Sequence, residues 1–543
     1  MNKTVLALGI CLFLFSCCTA EEPVINNPIL PGFNPDPSIV RVNDDYYIAT
    51  STFEWFPGVG IHHSKDLVNW ELAGYALNST KYIDLLGNPT SGGVWAPCLT
   101  YSDGLFYLVY SDLKNHKSPY KDSHNYLITA KNINGPWSEP IYLNSSGFDA
   151  SMFHDDDGKK WLLNMLWDHR DRAKRFAGIL IQEYDTGPIR NIFKGTNLGV
   201  TEGPHIYKLN GYYYLMTAEG GTGANHAVTL ARSKNLFGPY EIHPDNPILT
   251  SRNDPTLPFQ RSGHASLVET QNGQWYMAHL CSRPVKKENK TSNRSVMGRE
   301  TAIQKVKWCD DGWLRLENDS NRPQVIAPAP GLPPHTFKTE PSRDDFNSKN
   351  LNLNFNTLRV PPDESWVSLA QRPGWLRIYG RESLGSKHRQ SMVARRITSL
   401  DCIAETRVEF EPLTFQQAAG LICFYDTQNY YYLKISNYEN VGKCVTVCYS
   451  INDQYVEVST QIFSIKSKSC FLKAEVDYDK LVFAFSEDGK NWIKINEVFD
   501  ISTLSDEQCQ EGSFTGAFVG MCAQDLAGTK TKADFDYFEY QNK

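Results

Sequence analysis

The hydrophobic pattern of the chain is written as repeated hairpins. In the stretch Val200 to Gly221, Pro204-His205-Ile206-Tyr207 reads as a short strand, Asn210-Gly211 is a strong two-residue turn signal, and Tyr212 to Met216 is an aromatic return strand; Glu202 stands where the hairpin begins. The same order of features recurs four more times. Asp36-Pro-Ser-Ile-Val leads through Asn43-Asp44-Asp45 into Tyr46-Tyr47-Ile48, and Trp95-Ala-Pro-Cys-Leu leads through Asp103-Gly104 into Phe106-Tyr107-Leu108. Asp149-Ala-Ser-Met-Phe leads through Asp157-Gly158 into Trp161-Leu162-Leu163, and Gly263-His-Ala-Ser-Leu-Val leads through Asn272-Gly273 into Trp275-Tyr276-Met277. With the heads set at positions 36, 96, 149, 202 and 263, the spacing is about 50 to 60 residues, the kind of period that marks propellers. Five copies predict a five-bladed β-propeller. The innermost strand of a blade begins near the central channel, so Asp36, Asp149 and Glu202 are expected to converge at one end of it.

The repeat stops before Arg322 to Pro334, a Pro-rich stretch that reads as a semi-rigid linker. Beyond it, alternation is read in Trp375-Leu-Arg-Ile-Tyr, Gly420-Leu-Ile-Cys-Phe-Tyr, Tyr430-Tyr-Tyr-Leu-Lys-Ile and Leu481-Val-Phe-Ala-Phe-Ser, the last turning at Asp488-Gly489 into Trp492-Ile-Lys-Ile. Many short strands without a helical period predict a β-sandwich. The chain is therefore expected to be all-β, with a propeller over residues 24–325 and a sandwich over residues 335–543, more length than a single core organises.

The N-terminus adds a targeting segment over residues 1–20. Its apolar run from Val5 to Phe15 is too short to span a bilayer and reads as a secretion signal. Leu14-Phe15-Ser16-Cys17 resembles a bacterial lipoprotein cleavage box, with Cys17 as the lipidated residue and membrane anchor, while Cys18-Thr19-Ala20 also suits an ordinary signal peptidase. Export to a bacterial periplasm or cell surface is expected, with a lipid anchor favoured over free release. A net charge of −7 provides no basic footprint for nucleic acid. Three of the 13 cysteines lie in the signal; the others lack metal-type spacing, and Cys444 and Cys448, which an alternating strand would point to one face, are read as buried small hydrophobes without a disulfide.

A single Asp ahead of a strand is ordinarily a cap, but three acids heading repeats about a common axis suit the cleavage of glycosidic bonds. That chemistry needs one carboxyl protonated to donate to the leaving oxygen and one ionised to activate water or to attack, and a third carboxylate would hold the acid's pKa up by like-charge repulsion. Phe53, Trp55, Phe56, Trp95 and Trp167, close in sequence to those heads, could stack on sugar faces or pack the blades.

These residues also carry a resemblance. Asn34-Pro-Asp36-Pro-Ser, Ser51-Thr-Phe-Glu-Trp-Phe-Pro-Gly58, Gly93-Val-Trp95-Ala-Pro, Gly147-Phe-Asp149-Ala-Ser, Thr201-Glu202-Gly-Pro-His, Gly298-Arg299-Glu-Thr-Ala-Ile-Gln and Phe514-Thr-Gly-Ala-Phe-Val-Gly are similar to glycoside hydrolase family 43, especially its two-domain β-xylosidases. The resemblance implies that Asp36 is the general base for water, Glu202 the general acid and Asp149 the residue that positions Glu202 and tunes its pKa. It implies inversion, for which the two carboxyls should stand about 6.5–9.5 Å apart. It implies a pocket with Phe53 and Trp95 against the non-reducing sugar, Lys121, Trp167 and His264 at its rim or floor, and Arg299 bonding sugar hydroxyls, where the plain reading of Arg299 is a surface ion pair with Glu300 or another acid. Phe514 would reach over from the sandwich and close the pocket to all but a chain end. Expected substrates are xylo-oligosaccharides or arabinoxylan fragments, with arabinofuranosidase as a side or dominant activity; a non-catalytic glycan-binding lipoprotein is the alternative from another class.

Cys98 departs from the family's usual Asp and would remove a carboxylate beside the pocket. No cofactor is required by this chemistry. A calcium ion near His264, as in some relatives, is weighed against a hydrogen-bonding role and placed second, since calcium prefers oxygen ligands. His62-His63 is read as a strand-end pair, Gly220 to Gly223 as a turn, and homo-oligomer formation is left open.

Overall fold

The computed structural model describes residues 23–170, 174–184, 187–286 and 294–543. The segment expected to be a targeting signal, with Cys17, lies outside these residues. The described chain is all-β apart from one turn of 3-10 helix at Ile501–Thr503.

The Asx-Gly and Asn-Asp turns do what their residue types allow. Asn43, Asp103 and Asn210 take left-handed φ values of 57°, 52° and 51°, closing the hairpins that join Ser38–Val42 to Asp45–Thr50, Gly93–Ser102 to Leu105–Asn115 and Glu202–Leu209 to Tyr212–Glu219. Each hairpin grows into an antiparallel blade. Five blades result, with innermost strands Ser38–Val42, Gly93–Ser102, Ser151–His154, Glu202–Leu209 and Gln260–Glu269. These strands neighbour one another in a closed ring.

The ring is locked by the start of the chain. Val24–Asn26 pairs with Ile326–Pro328, and the Asn27 side chain imitates a strand partner by donating to Ile303 O and accepting from Ile303 N–H, both at 2.8 Å. Part of the stretch expected as a linker, Arg322 to Pro334, is thus a strand of this clasp.

The second domain is a sandwich of an eight-stranded and a nine-stranded sheet. In the first, Asp401–Phe410 and Ser469–Asp477 bury alternate residues, as a sheet with one wet face must. The second behaves differently. Gln417–Asp426, which contains Gly420 to Tyr425, is buried at every position, because one face packs on the partner sheet and the other on the propeller. The alternation expected there is absent for that reason. The propeller even lends this sheet a strand, Trp55–Phe56, which pairs with Asn356–Leu358. Trp55 stacks on Phe518 with ring centroids 3.7 Å apart, so Trp55 and Phe56 weld the domains and do not face a sugar. All ten described cysteines are free, Cys444 and Cys448 among the buried ones.

Candidate active site

Each innermost strand is entered through the same local sentence: Asp36-Pro-Ser-Ile, Ala96-Pro-Cys-Leu, Asp149-Ala-Ser-Met, Gly203-Pro-His-Ile and His264-Ala-Ser-Leu. The first residue of each is left-handed, with φ of 56°, 32°, 55°, 55° and 46°. Four of the five are not glycine, a backbone cost of about 1–3 kcal/mol each that persists only where the surroundings enforce it, typically at functional sites. This register corrects the one expected from the hairpins: the fourth and fifth heads are Gly203 and His264, so Glu202 stands one residue ahead of the position held by Asp36 and Asp149. Trp95 and Phe148 hold that earlier position in the second and third blades. Gly203 leaves room for its neighbour, since a Cβ there would lie 2.9 Å from His264 Nε2.

The third residue of each head lines the axis and ties blade to blade. Ser38 Oγ accepts from Leu99 N–H at 3.0 Å, Ser266 Oγ accepts from Ile39 N–H at 3.1 Å, and Ser151 Oγ donates to Pro204 O at 2.5 Å. Cys98 occupies this position, buried, with its sulfur 4.0 Å from His205 Nδ1. It belongs to the axial ring and does not line the pocket, contrary to the sequence expectation.

At the mouth of the ring is a cavity of about 200 Å³, room for one sugar ring. Blade 1 supplies Asp36 and Phe53, blade 2 Trp95 and Lys121, blade 3 Asp149 and Trp167, blade 4 Glu202, blade 5 His264 and Arg299, and the sandwich Phe514. Every residue that the resemblance places in the pocket therefore meets in one place, whereas Trp55 and Phe56 do not join them. Phe148, Phe176, Val200, Gly221 and Thr222 also line it and were missed. Phe148 was findable, because it shares the repeat position of Trp95 and Glu202. Phe514 lies with its ring centroid 5.4 Å from that of Trp95 and 6.2 Å from that of Phe53, forming a wall from the second domain.

The three acids are held in different states. Burial pushes the Asp36 carboxyl up, but Arg299, His264 and the Ser51 hydroxyl outweigh it and leave the pKa below the ordinary value. Arg299 Nη1 donates to Oδ1 at 3.0 Å, Ser51 Oγ donates to Oδ2 at 2.7 Å, and His264 Nδ1 stands 3.6 Å from Oδ1. Glu202 is raised well above its ordinary value by burial first, then by the charges of Asp149 and Asp36, with Arg299 and Lys121 opposing. Asp149 is itself raised, again chiefly by burial, and its Oδ2 accepts the Gly203 N–H at 3.1 Å, fixing the backbone next to Glu202. The two shifts run in opposite directions, favouring the ionised form of Asp36 and the protonated form of Glu202. Asp149→Asn keeps an acceptor for Gly203 while removing charge, so the alkaline limb of the kcat/KM profile is expected to move to lower pH as Glu202 ionises more easily. An unmoved limb would remove Asp149 from that role.

Arg299 lines the pocket, and its contacts overturn its plain reading as a surface ion pair. It is only 2% exposed, it grips Asp36, and its Nη2 donates to Phe514 O at 3.0 Å, while Glu300 pairs with Arg283 at 2.7 Å. It is no surface ion pair. Among the described residues its buried Nε has no hydrogen-bond partner. Lys121 Nζ donates to His116 O at 2.5 Å and lies 4.5 Å over the Trp167 ring; burial brings its pKa down to about 8, against the pull of Glu202.

The surroundings of His264 do not suit calcium. Its near neighbours are the imidazoles of His226 and His205, both held neutral by burial, and Asp36, whose oxygens are already engaged by Arg299 and Ser51. Calcium needs about six to eight oxygens, and among the described residues no cluster of metal-ligating side chains is present.

A buried pair of carboxyls with pKa values pushed in opposite directions, in a cavity the size of one sugar and walled by aromatic rings, defines a glycoside hydrolase. Residues 25–314 match the model of glycosyl hydrolases family 43, and residues 343–541 match the β-xylosidase C-terminal concanavalin A-like domain. The chain belongs to glycosyl hydrolase family 43. It is 49% identical over 533 residues to a protein of Bacillus subtilis described as a β-xylosidase, covering 96% of this chain and 100% of the relative. A crystal structure of a xylan β-1,4-xylosidase from Bacillus halodurans superposes with a TM-score of 0.93 at 52% identity, covering 95% of this chain and 100% of that one. A non-reducing end α-L-arabinofuranosidase of Bacteroides ovatus is 34% identical, covering 96% of this chain and 95% of the relative.

Proposed function

We propose that the protein is an exported, exo-acting, inverting β-xylosidase that removes the terminal xylose from the non-reducing end of β-1,4-xylo-oligosaccharides. The observation that carries this reading is the small cavity, with Phe514 of the sandwich set against Phe53 and Trp95 and with Asp36 and Glu202 in the same lining. A pocket of that size takes one residue of a chain and leaves the next at its mouth. Asp36, ionised, draws a proton from water as the water attacks the anomeric carbon; Glu202 delivers its proton to the departing oxygen; both charges reset when Glu202 recovers a proton and Asp36 releases one. No cofactor enters this cycle. Xylotriose labelled at its reducing end tests the mode of attack: unlabelled xylose should appear first, with labelled xylobiose, whereas early labelled xylose or labelled chains cut at random would contradict it.

Arabinofuranose presents similarly placed hydroxyls, so α-L-arabinofuranosidase is proposed as a side activity, and the Bacteroides ovatus relative supports that choice. The N-terminal segment supports export, with Cys17 as the lipid anchor: radiolabelled palmitate should enter the natural protein in cells and not the Cys17→Ala variant. Phe514→Ala is expected to raise KM for xylobiose by about tenfold while leaving kcat within a few-fold, because the ring contacts bound sugar and not the reacting atoms. Unchanged kinetics there would remove the sandwich from the pocket's function.

A further inference from the structure

Phe514 is carried by a strap, residues 505–516, that leaves the sandwich, crosses the propeller face and returns. Its far end is fitted closely. A Cβ on Gly512 would lie 2.4 Å from Ser91 Oγ, and one on Gly298 would lie 2.0 Å from Thr515 O, so the strap is threaded between blade 2 and the Arg299 turn with no space to spare. Its near end is held by charge. Arg261, at the entry of the innermost strand of blade 5 with a left-handed φ of 57°, reaches Asp506 Oδ2 with Nη1 at 2.5 Å. Tyr425 of the sandwich donates to the other oxygen, Oδ1, at 2.6 Å. Asp506 is 2% exposed and Arg261 9% exposed, and Glu507 follows by accepting the Ser295 N–H at 2.7 Å.

We propose that the Arg261–Asp506–Tyr425 cluster is the mooring that sets where Phe514 stands, and so determines how tightly the enzyme encloses a chain end. The inference rests on Phe514 acting as the pocket wall. Three features support it. The cluster joins blade 5, the strap and the sandwich sheet at a single buried carboxylate. Arg261 lies three residues before His264 on the same strand, so the element that presents His264 to Asp36 also holds the strap. Arg299 bonds both Asp36 and the Phe514 carbonyl, so a displaced strap would also disturb the guanidinium that ionises the base. An ion pair buried in this way is sensitive to loss of one partner, because the carboxylate left behind regains water only by moving the strap outward.

Arg261→Met preserves bulk and removes the charge. It is expected to lower kcat/KM for xylobiose by up to about tenfold, mostly through KM, because a displaced ring costs no more than the removal of the ring in Phe514→Ala. Asp506→Asn, which keeps the Tyr425 contact, should move KM in the same direction by less, and it carries the test if Arg261→Met does not fold. The decisive readout is a cycle with Phe514→Ala. If the cluster acts through Phe514, Arg261→Met on the Phe514→Ala background changes KM by no more than about twofold. Multiplied losses, or an unchanged KM in both single variants while Phe514→Ala alone is impaired, would overturn the mooring. Wild-type kinetics in Phe514→Ala would instead overturn the wall reading on which it rests.

Discussion

Asp36→Asn is expected to lower kcat by about 100- to 10,000-fold, and to do so equally for xylobiose and for aryl xylosides. The environment predicts this uniform loss. Arg299, His264 and Ser51 keep the carboxyl ionised at a buried site, where its one useful property is to take a proton from water. Asparagine preserves the shape and can still accept from Arg299, yet it cannot take that proton. Because water must be activated whatever the leaving group, no choice of aglycone should compensate. Steady-state kinetics on both substrates checks the expectation, and a loss confined to one of them would assign Asp36 another role.

Glu202→Gln should separate the substrates. On xylobiose, whose leaving oxygen needs a proton, the loss is expected to reach about 100- to 10,000-fold; on a dinitrophenyl xyloside, whose phenolate leaves unaided, it should be far smaller. Burial and the neighbouring charges of Asp149 and Asp36 favour the protonated form of Glu202, and none of the hydrogen bonds found among the described residues uses its carboxyl, which leaves it free for substrate. The sign for pH follows. The raised Glu202 sets the alkaline limb, where the acid is lost, and the lowered Asp36 sets the acidic limb, where the base is lost. Glu202→Gln should therefore flatten the alkaline limb on the activated substrate and leave the acidic limb in place. Equal losses on both substrates would contradict the assignment.

Much of this was legible in the sequence because the propeller repeats itself. Asx-Gly turns, with Asn-Asp in the first copy, mark the hairpins next to aromatic runs, and three of the stretches that precede them carry the acids. The register of the fourth and fifth heads was not legible from the hairpins, since it depends on which residue turns left-handed, at Gly203 and His264, and left-handed φ is not marked by glycine at four of the five heads. Trp55 and Phe56 read equally as sugar platforms or as blade packing but fill the join between domains, because composition does not say which side of a strand meets the other domain. The pairing of Arg299 with Asp36 spans 263 residues and exists only when the clasp at Val24–Asn26 closes the ring and blade 5 is brought against blade 1. The same holds for Phe514, whose place beside Trp95 is a product of the domain interface.

The central claim is that Asp36 activates water while Glu202 donates a proton, so that the configuration inverts in one step. A proton NMR time course of the purified protein with xylobiose tests it directly, by following the anomeric signal of the first xylose released from the non-reducing end. The account predicts α-xylose, appearing before mutarotation; β-xylose as the first product would mean retention and would make Asp36 a nucleophile.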